Sequence, residues 1–134
     1  MPAEVAGRRF TNHFDRLWVT QTPGAKLTFK FTGTRAWIFN VFGPRTGKAK
    51  VTVDGVEKGV RRQVDGWSYY YRLGGLEIAS NLAPGEHTAT IELLADPPDR
   101  AVPIESAKEA NCYKPADFQG TALHLGAICV LEGP

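Results

Sequence analysis

The sequence predicts an all-β protein: a two-sheet antiparallel β-sandwich of jelly-roll type, with seven to nine strands and one long loop at about residues 96–120. Three observations carry this expectation. Apolar and polar residues alternate with a period of two through most of the chain, the pattern of strands with one buried and one wet face. Turn-forming pairs, Pro23-Gly24, Gly43-Pro44, Asp54-Gly55 and Pro84-Gly85, interrupt that alternation at short intervals. No segment of helical length repeats its apolar residues with the helical period.

The first strand is expected at residues 15–20, ended by Thr22-Pro23-Gly24. In residues 26–32, Leu27, Phe29 and Phe31 face one way and Lys26, Thr28, Lys30 and Thr32 the other. Gly33 then permits a tight corner. Residues 34–42 are apolar on both faces, which predicts a central strand, or one with a face covered by a ligand or partner. After the 43–47 loop, Ala49, Val51 and Val53 point inward from residues 48–54. Asp54-Gly55 suits a two-residue hairpin, which needs positive φ, and returns the chain along residues 56–64.

Residues 67–73, Trp-Ser-Tyr-Tyr-Tyr-Arg-Leu, read as a further strand from their β-favouring aromatics, interrupted by Gly74-Gly75. Residues 76–82 fit a short strand or a turn of helix, and the alternating His87, Ala89, Ile91 and Leu93 fit the next strand. The last strand, about residues 121–131, is apolar on both faces and so belongs in the middle of a sheet. The 96–120 segment has little strand character, and within it residues 104–110 suit about two helical turns. Loops this long in compact domains are usually functional or disordered. Cys112, Tyr113 and Phe118 argue that part of this one packs down.

At 134 residues the chain has the length of one domain, residues 1–134, with 1–12 reading as a flexible or linker segment. Sixteen basic and fourteen acidic residues leave a net charge of +2, and the basic ones are scattered. That balance argues against nucleic acid or an anionic membrane as partner. No apolar run is long enough to span a bilayer, and the first residues lack the apolar core of a signal peptide. The chain therefore reads either as cytoplasmic or as a domain excised from a longer, exported protein. Two cysteines, Cys112 and Cys129, form neither a disulfide framework nor a zinc motif. Cys129 reads as a free thiol in an apolar strand, with a bond to Cys112 left open.

The order Phe31-x-Gly33-Thr34, then Gly43-Pro44-x-x-Gly47-x-x-x-Val51-x-Val53-Asp54-Gly55, resembles the jelly-roll accessory domains found beside SGNH/GDSL-type hydrolases and carbohydrate esterases. Leu82-x-Pro84-Gly85-x-His87-Thr88-x-x-Ile91 and Gly120-Thr121-Ala122-x-x-x-Gly126-Ala127-Ile128 fit the same pattern. Such domains are similar in fold to galactose-binding-like carbohydrate-binding modules. The resemblance spans roughly residues 14–132, and its motifs are turn glycines and core aliphatics, which speak for fold and say little of ligand. The Gly-Asp-Ser-Leu and Asp-x-x-His blocks of the hydrolases themselves are absent. The resemblance implies a non-catalytic carbohydrate-binding or accessory module of a polysaccharide- or acylated-sugar-degrading hydrolase. Its partners would be carbohydrate, its own catalytic domain, or both, in an extracellular or periplasmic setting if that hydrolase is exported. No cofactor is expected beyond a structural calcium ion, for which Asp96, Asp99 and nearby carbonyls are the candidate ligands.

Catalytic candidates are few. None of the three serines, Ser68, Ser80 and Ser106, lies in a Gly-x-Ser-x-Gly elbow. His13 and Asp15, two residues apart, would share one face of a strand and suit an acid–base pair, but two ligands fall short of a metal site. His87 and His124 read as hydrogen-bonded structural histidines. A small stand-alone hydrolase or lyase using these His and Asp residues is one alternative. A structural or protein-docking domain without a ligand is another. No pair of carboxylates suited to glycoside chemistry stands out.

The aromatic rows are the strongest binding candidates. Trp67, Tyr69 and Tyr71 would share one strand face, and Arg35, Trp37 and Phe39 another. An exposed row stacks on the apolar face of a sugar ring, with Arg35, Arg45, Arg61 and Asn40 available to its hydroxyls. The opposing reading is that such rows build the core, since burying a large apolar side chain is worth about 1.5–3 kcal/mol. The candidate ligand-binding set is therefore Arg35, Trp37, Arg45, Trp67, Tyr69 and Tyr71.

Overall fold

Alternation along the strands places one apolar row of nearly every strand between two sheets. The computed structural model describes residues 17–132. The strands are β1 (Trp18–Thr20), β2 (Lys26–Thr32), β3 (Arg35–Phe42), β4 (Lys48–Val53), β5 (Val56–Arg62), β6 (Arg72–Ala79), β7 (Glu86–Leu93) and β8 (Leu123–Leu131). They form two four-stranded antiparallel sheets, ordered β1-β8-β3-β6 and β2-β7-β4-β5. Phe31, Ile38, Val51, Leu76, Ile91 and Leu125 are among the residues that fill the space between them. β3 and β8, apolar on both faces, are the two inner strands of the first sheet. Among the described residues no helix is long and apolar enough to cross a membrane.

The hairpin at Asp54-Gly55 forms as its residue types demand. Both take positive φ, 52° and 79°, and Val53 pairs directly with Val56. The Asp54 carboxylate accepts the Thr88 N–H at 2.9 Å and binds His87 Nδ1 at 2.5 Å, while His87 Nε2 reaches the Ala83 carbonyl.

The open edge of the sandwich, where β5 of one sheet meets β6 of the other, is laced by side chains. β6 carries a bulge at Ile78, where Ala36 pairs with Ala79 and Trp37 with Glu77. The Arg61 guanidinium donates to the carbonyls of Glu77 (2.8 Å) and Ile78 (3.2 Å) at that bulge. Buried Asn40 donates to Gln63, which in turn donates to the Gly75 carbonyl.

Residues 67–73 do not form the expected strand. Asp65 captures the turn instead: its carboxylate accepts the Trp67 N–H at 2.8 Å, and the Ser68 hydroxyl accepts the Asp65 N–H at 3.0 Å. These local bonds compete with a strand ladder and win. β6 starts only at Arg72 and runs through Gly74-Gly75, which were expected to interrupt it. Gly74 is required there, because a Cβ would lie 1.6 Å from the Phe42 ring.

The 96–120 segment is not a bare loop. It holds helix α1 (Ala101–Glu109), which begins three residues before the expected 104–110, and a 3₁₀ turn at Pro115–Phe118. Phe118 is buried against the Tyr113 ring. Arg100 donates to the carbonyls of Phe118 and Arg45, and Arg45 donates to the Ala116 carbonyl at 3.0 Å. Two arginines thus staple the 43–47 loop to this segment.

Candidate functional site

The aromatic set splits three ways. Tyr71 is buried with Val41 and Leu17 in a small second cluster on the outer side of the β1-β8-β3-β6 sheet. Its ring meets the buried His124 edge-on, and burial raises its hydroxyl pKa. Arg35 and Trp37 lie on the same outer side, with the Arg35 guanidinium 5.0 Å over the Trp37 ring and 3.3 Å from Glu77. Trp67 and Tyr69 sit elsewhere, on the turn that Asp65 holds.

That turn lies against α1 and leaves an open cleft of about 490 Å³, lined by Gly66, Trp67, Tyr69, Ser106, Glu109 and Ala110. Trp67 is 59% exposed, and its ring lies 6.5 Å from that of Tyr69 at a 32° tilt. Ser106 and Glu109, one helical turn apart, present a hydroxyl and a carboxylate from α1. Neither side chain has a hydrogen-bond or ion-pair partner among the described residues. The cleft therefore offers an aromatic wall opposite polar groups with free capacity.

The aromatic wall is fixed from behind. Asp65 holds the Trp67 N–H and also pairs with Arg72 at 2.5 Å. The Arg72 hydrogen bond, chiefly, keeps the Asp65 carboxyl below its ordinary pKa. A second cleft of about 410 Å³, lined by Lys48, Arg62, Val64, Asp65, Asp99 and Val102 among others, shares the same turn and helix. A third, about 500 Å³, is lined by Thr34, Arg35, Leu82 and Leu131 among others at a separate place.

Arg45 and Arg61 are committed to backbone carbonyls and Asn40 is buried, so none of them lines the aromatic cleft. The sequence singles out neither Ser106 nor Glu109 as a binding residue, and Ser106 enters it only as a candidate nucleophile. Their signal was present, because a helix over 104–110 puts them on one face.

Among the described residues, neither His87 nor His124 lines any of the three clefts. His87 binds a carboxylate and a carbonyl through its two ring nitrogens, an arrangement that favours the protonated ring. The Asp54 hydrogen bond, chiefly, raises its pKa. His124 is buried, and desolvation lowers its pKa to about 4. His13 and Asp15 lie outside the described residues. Among the described residues no three His, Cys, Asp or Glu side chains converge as metal ligands. Asp96 pairs with Lys48, and Asp99 accepts the Ala101 N–H at the start of α1. Cys112 and Cys129 are free thiols.

The outer side of the β1-β8-β3-β6 sheet carries exposed apolar side chains. Register places Arg35 beside Leu131, Trp37 beside Cys129 and Glu77, Phe39 beside Gly75, and Val41 beside Leu73 on that side. Phe39 (47%), Leu73 (40%) and Leu131 (52%) are exposed there.

This architecture is a jelly-roll β-sandwich, similar in fold to part of two solved carbohydrate esterases. A two-domain esterase active on acetylated mannans, solved with mannopentaose, matches over 87% of this chain at a TM-score of 0.57 and 13% identity. A family two carbohydrate esterase from Clostridium thermocellum, solved with cellohexaose, matches over 83% at a TM-score of 0.53 and 14% identity. The chain spans only about a quarter of each esterase, 28% and 26% respectively. No protein-family model and no curated protein matches the sequence.

Proposed function

We propose that this domain is a non-catalytic, carbohydrate-binding accessory module of a hydrolase that degrades polysaccharide or acylated sugar. The cleft between the 66–69 turn and α1 is its binding surface. One observation carries the reading: Trp67 stands 59% exposed beside Tyr69, on a turn held rigid by Asp65, facing polar groups that have no partner among the described residues. A flat aromatic wall with convergent polar groups matches a sugar ring, which has apolar faces and a hydroxylated rim. The fold likeness to domains of carbohydrate esterases supports the same reading. Affinity electrophoresis through gels containing soluble polysaccharide tests it. Retention of the native protein should be lost in Trp67→Ala while the melting temperature stays within about 2 °C, since the lost side chain is largely exposed. Equal retention of both proteins would reject the cleft.

A second role rests on a separate observation, the apolar outer sheet side with Phe39, Leu73 and Leu131. Apolar surface of this kind suits contact with the catalytic domain of the same hydrolase. Phe39→Glu should abolish co-elution with that domain and leave polysaccharide retention intact. Co-elution unchanged by the substitution would remove this role.

A further inference from the structure

The aromatic cleft has an unusual charge inventory. Among the described residues its only charged lining residue is Glu109, which is exposed and has no ion-pair partner among them. An ionised carboxylate can only accept hydrogen bonds. The neighbouring Ser106 hydroxyl can donate or accept. The nearest positive charge on the helix, Lys108, is turned over the Tyr113 ring at 5.0 Å, away from the cleft lining. Arg72, next to the turn, is already paired with Asp65.

Resting on the carbohydrate-binding reading of this cleft, we infer that Glu109 selects for neutral glycans against acidic ones. A neutral pyranose stacked on Trp67 presents hydroxyl donors at its rim, which Glu109 accepts in charge-assisted bonds. A uronic acid in the same place sets its carboxylate beside Glu109, with no lining cation among the described residues to offset the repulsion. The repulsion acts through water and is screened by salt, so discrimination weakens as ionic strength rises.

The test is calorimetric titration of the native protein and of Glu109→Gln with cellohexaose, mannopentaose and a hexagalacturonate, each at low and high salt. Gln keeps the shape and an acceptor oxygen and removes the charge. The native protein should bind a neutral oligosaccharide at least about tenfold more tightly than the galacturonate at low salt, with the gap narrowing at high salt. Glu109→Gln should weaken the neutral ligand roughly three- to tenfold and strengthen the galacturonate. A neutral-to-acidic ratio unchanged by Glu109→Gln overturns the inference, as does tighter binding of the galacturonate by the native protein. Trp67→Ala in the same titration separates the two layers. Binding that needs Trp67 but ignores Glu109 defeats only the selectivity. No binding by the native protein, or binding that ignores Trp67, defeats the cleft and the selectivity together.

Discussion

Replacing Arg61 removes the clasp on the open edge of the sandwich. The guanidinium makes three bonds, to the carbonyls of Glu77, Ile78 and Lys58. The first two lie at the β6 bulge and are partly buried; the third is exposed and contributes little. Hydrogen bonds to a charged group are worth about 1.5–3 kcal/mol, and a carbonyl stripped of its donor gains solvent only partly at a half-buried edge. Arg61→Ala should therefore cost about 2–3 kcal/mol. For a chain of 134 residues that corresponds to a fall of roughly 6–15 °C in melting temperature. Arg61→Lys should recover less than half of it, because one ammonium cannot fork onto two carbonyls as a planar guanidinium does. Differential scanning calorimetry at neutral pH measures both variants. Arg61→Ala melting within about 2 °C of the native protein, or Arg61→Lys matching the native protein, would refute the reasoning. The same variants should bind polysaccharide normally below their melting temperatures, since Arg61 is turned to the backbone.

Two histidines should pull acid stability in opposite directions. His87 has its pKa raised by Asp54, so its contribution is complete below the ordinary value of 6.5 and is lost as pH rises through the raised value. The Asp54 carboxyl is lowered by His87, so its contribution is present above 3.8 and is lost only as pH falls through the lowered value. The melting-temperature gap between native protein and His87→Gln should thus be widest at mildly acidic pH and shrink toward pH 9. A gap that is flat with pH would contradict the ion pair. His124 has the reverse sign: the unfolded chain takes up its proton near 6.5 and the folded one only near 4, so stability drains as pH falls between them. The full effect is about 3 kcal/mol. His124→Leu should be near neutral at pH 7, because neither ring nitrogen has a hydrogen-bond partner among the described residues. At pH 4.5 it should be more stable than the native protein by about 2–3 kcal/mol, and equal acid stability would contradict a buried neutral imidazole.

Much of the sandwich was legible because strand patterning and turn chemistry are local. Asp54-Gly55 takes the two positive φ values its hairpin needs, and the doubly apolar β3 and β8 are inner strands. The binding candidates were harder, because one aromatic run serves two environments. Composition around Trp67 favours a strand, but a single carboxylate, Asp65, captures the backbone and turns Trp67 outward. Only two residues beyond Tyr69, Tyr71 enters a buried cluster formed with Val41, which lies far off in sequence. Gly74-Gly75 looked like punctuation, yet Gly74 makes room for the Phe42 ring across the sheet. The expected helix over 104–110 already puts Ser106 and Glu109 on one face, but only tertiary packing sets that face beside the Trp67 turn, and such packing leaves no local signal.

Calorimetric titration of the native protein, Trp67→Ala and Trp37→Ala with neutral oligosaccharides tests the cleft most directly. The two tryptophans occupy separate surfaces, Trp67 in the cleft beside α1 and Trp37 on the outer side of the sheet. Saturable binding by the native protein and Trp37→Ala, abolished in a folded Trp67→Ala, is the predicted result. Binding retained by Trp67→Ala, or lost only in Trp37→Ala, would contradict it.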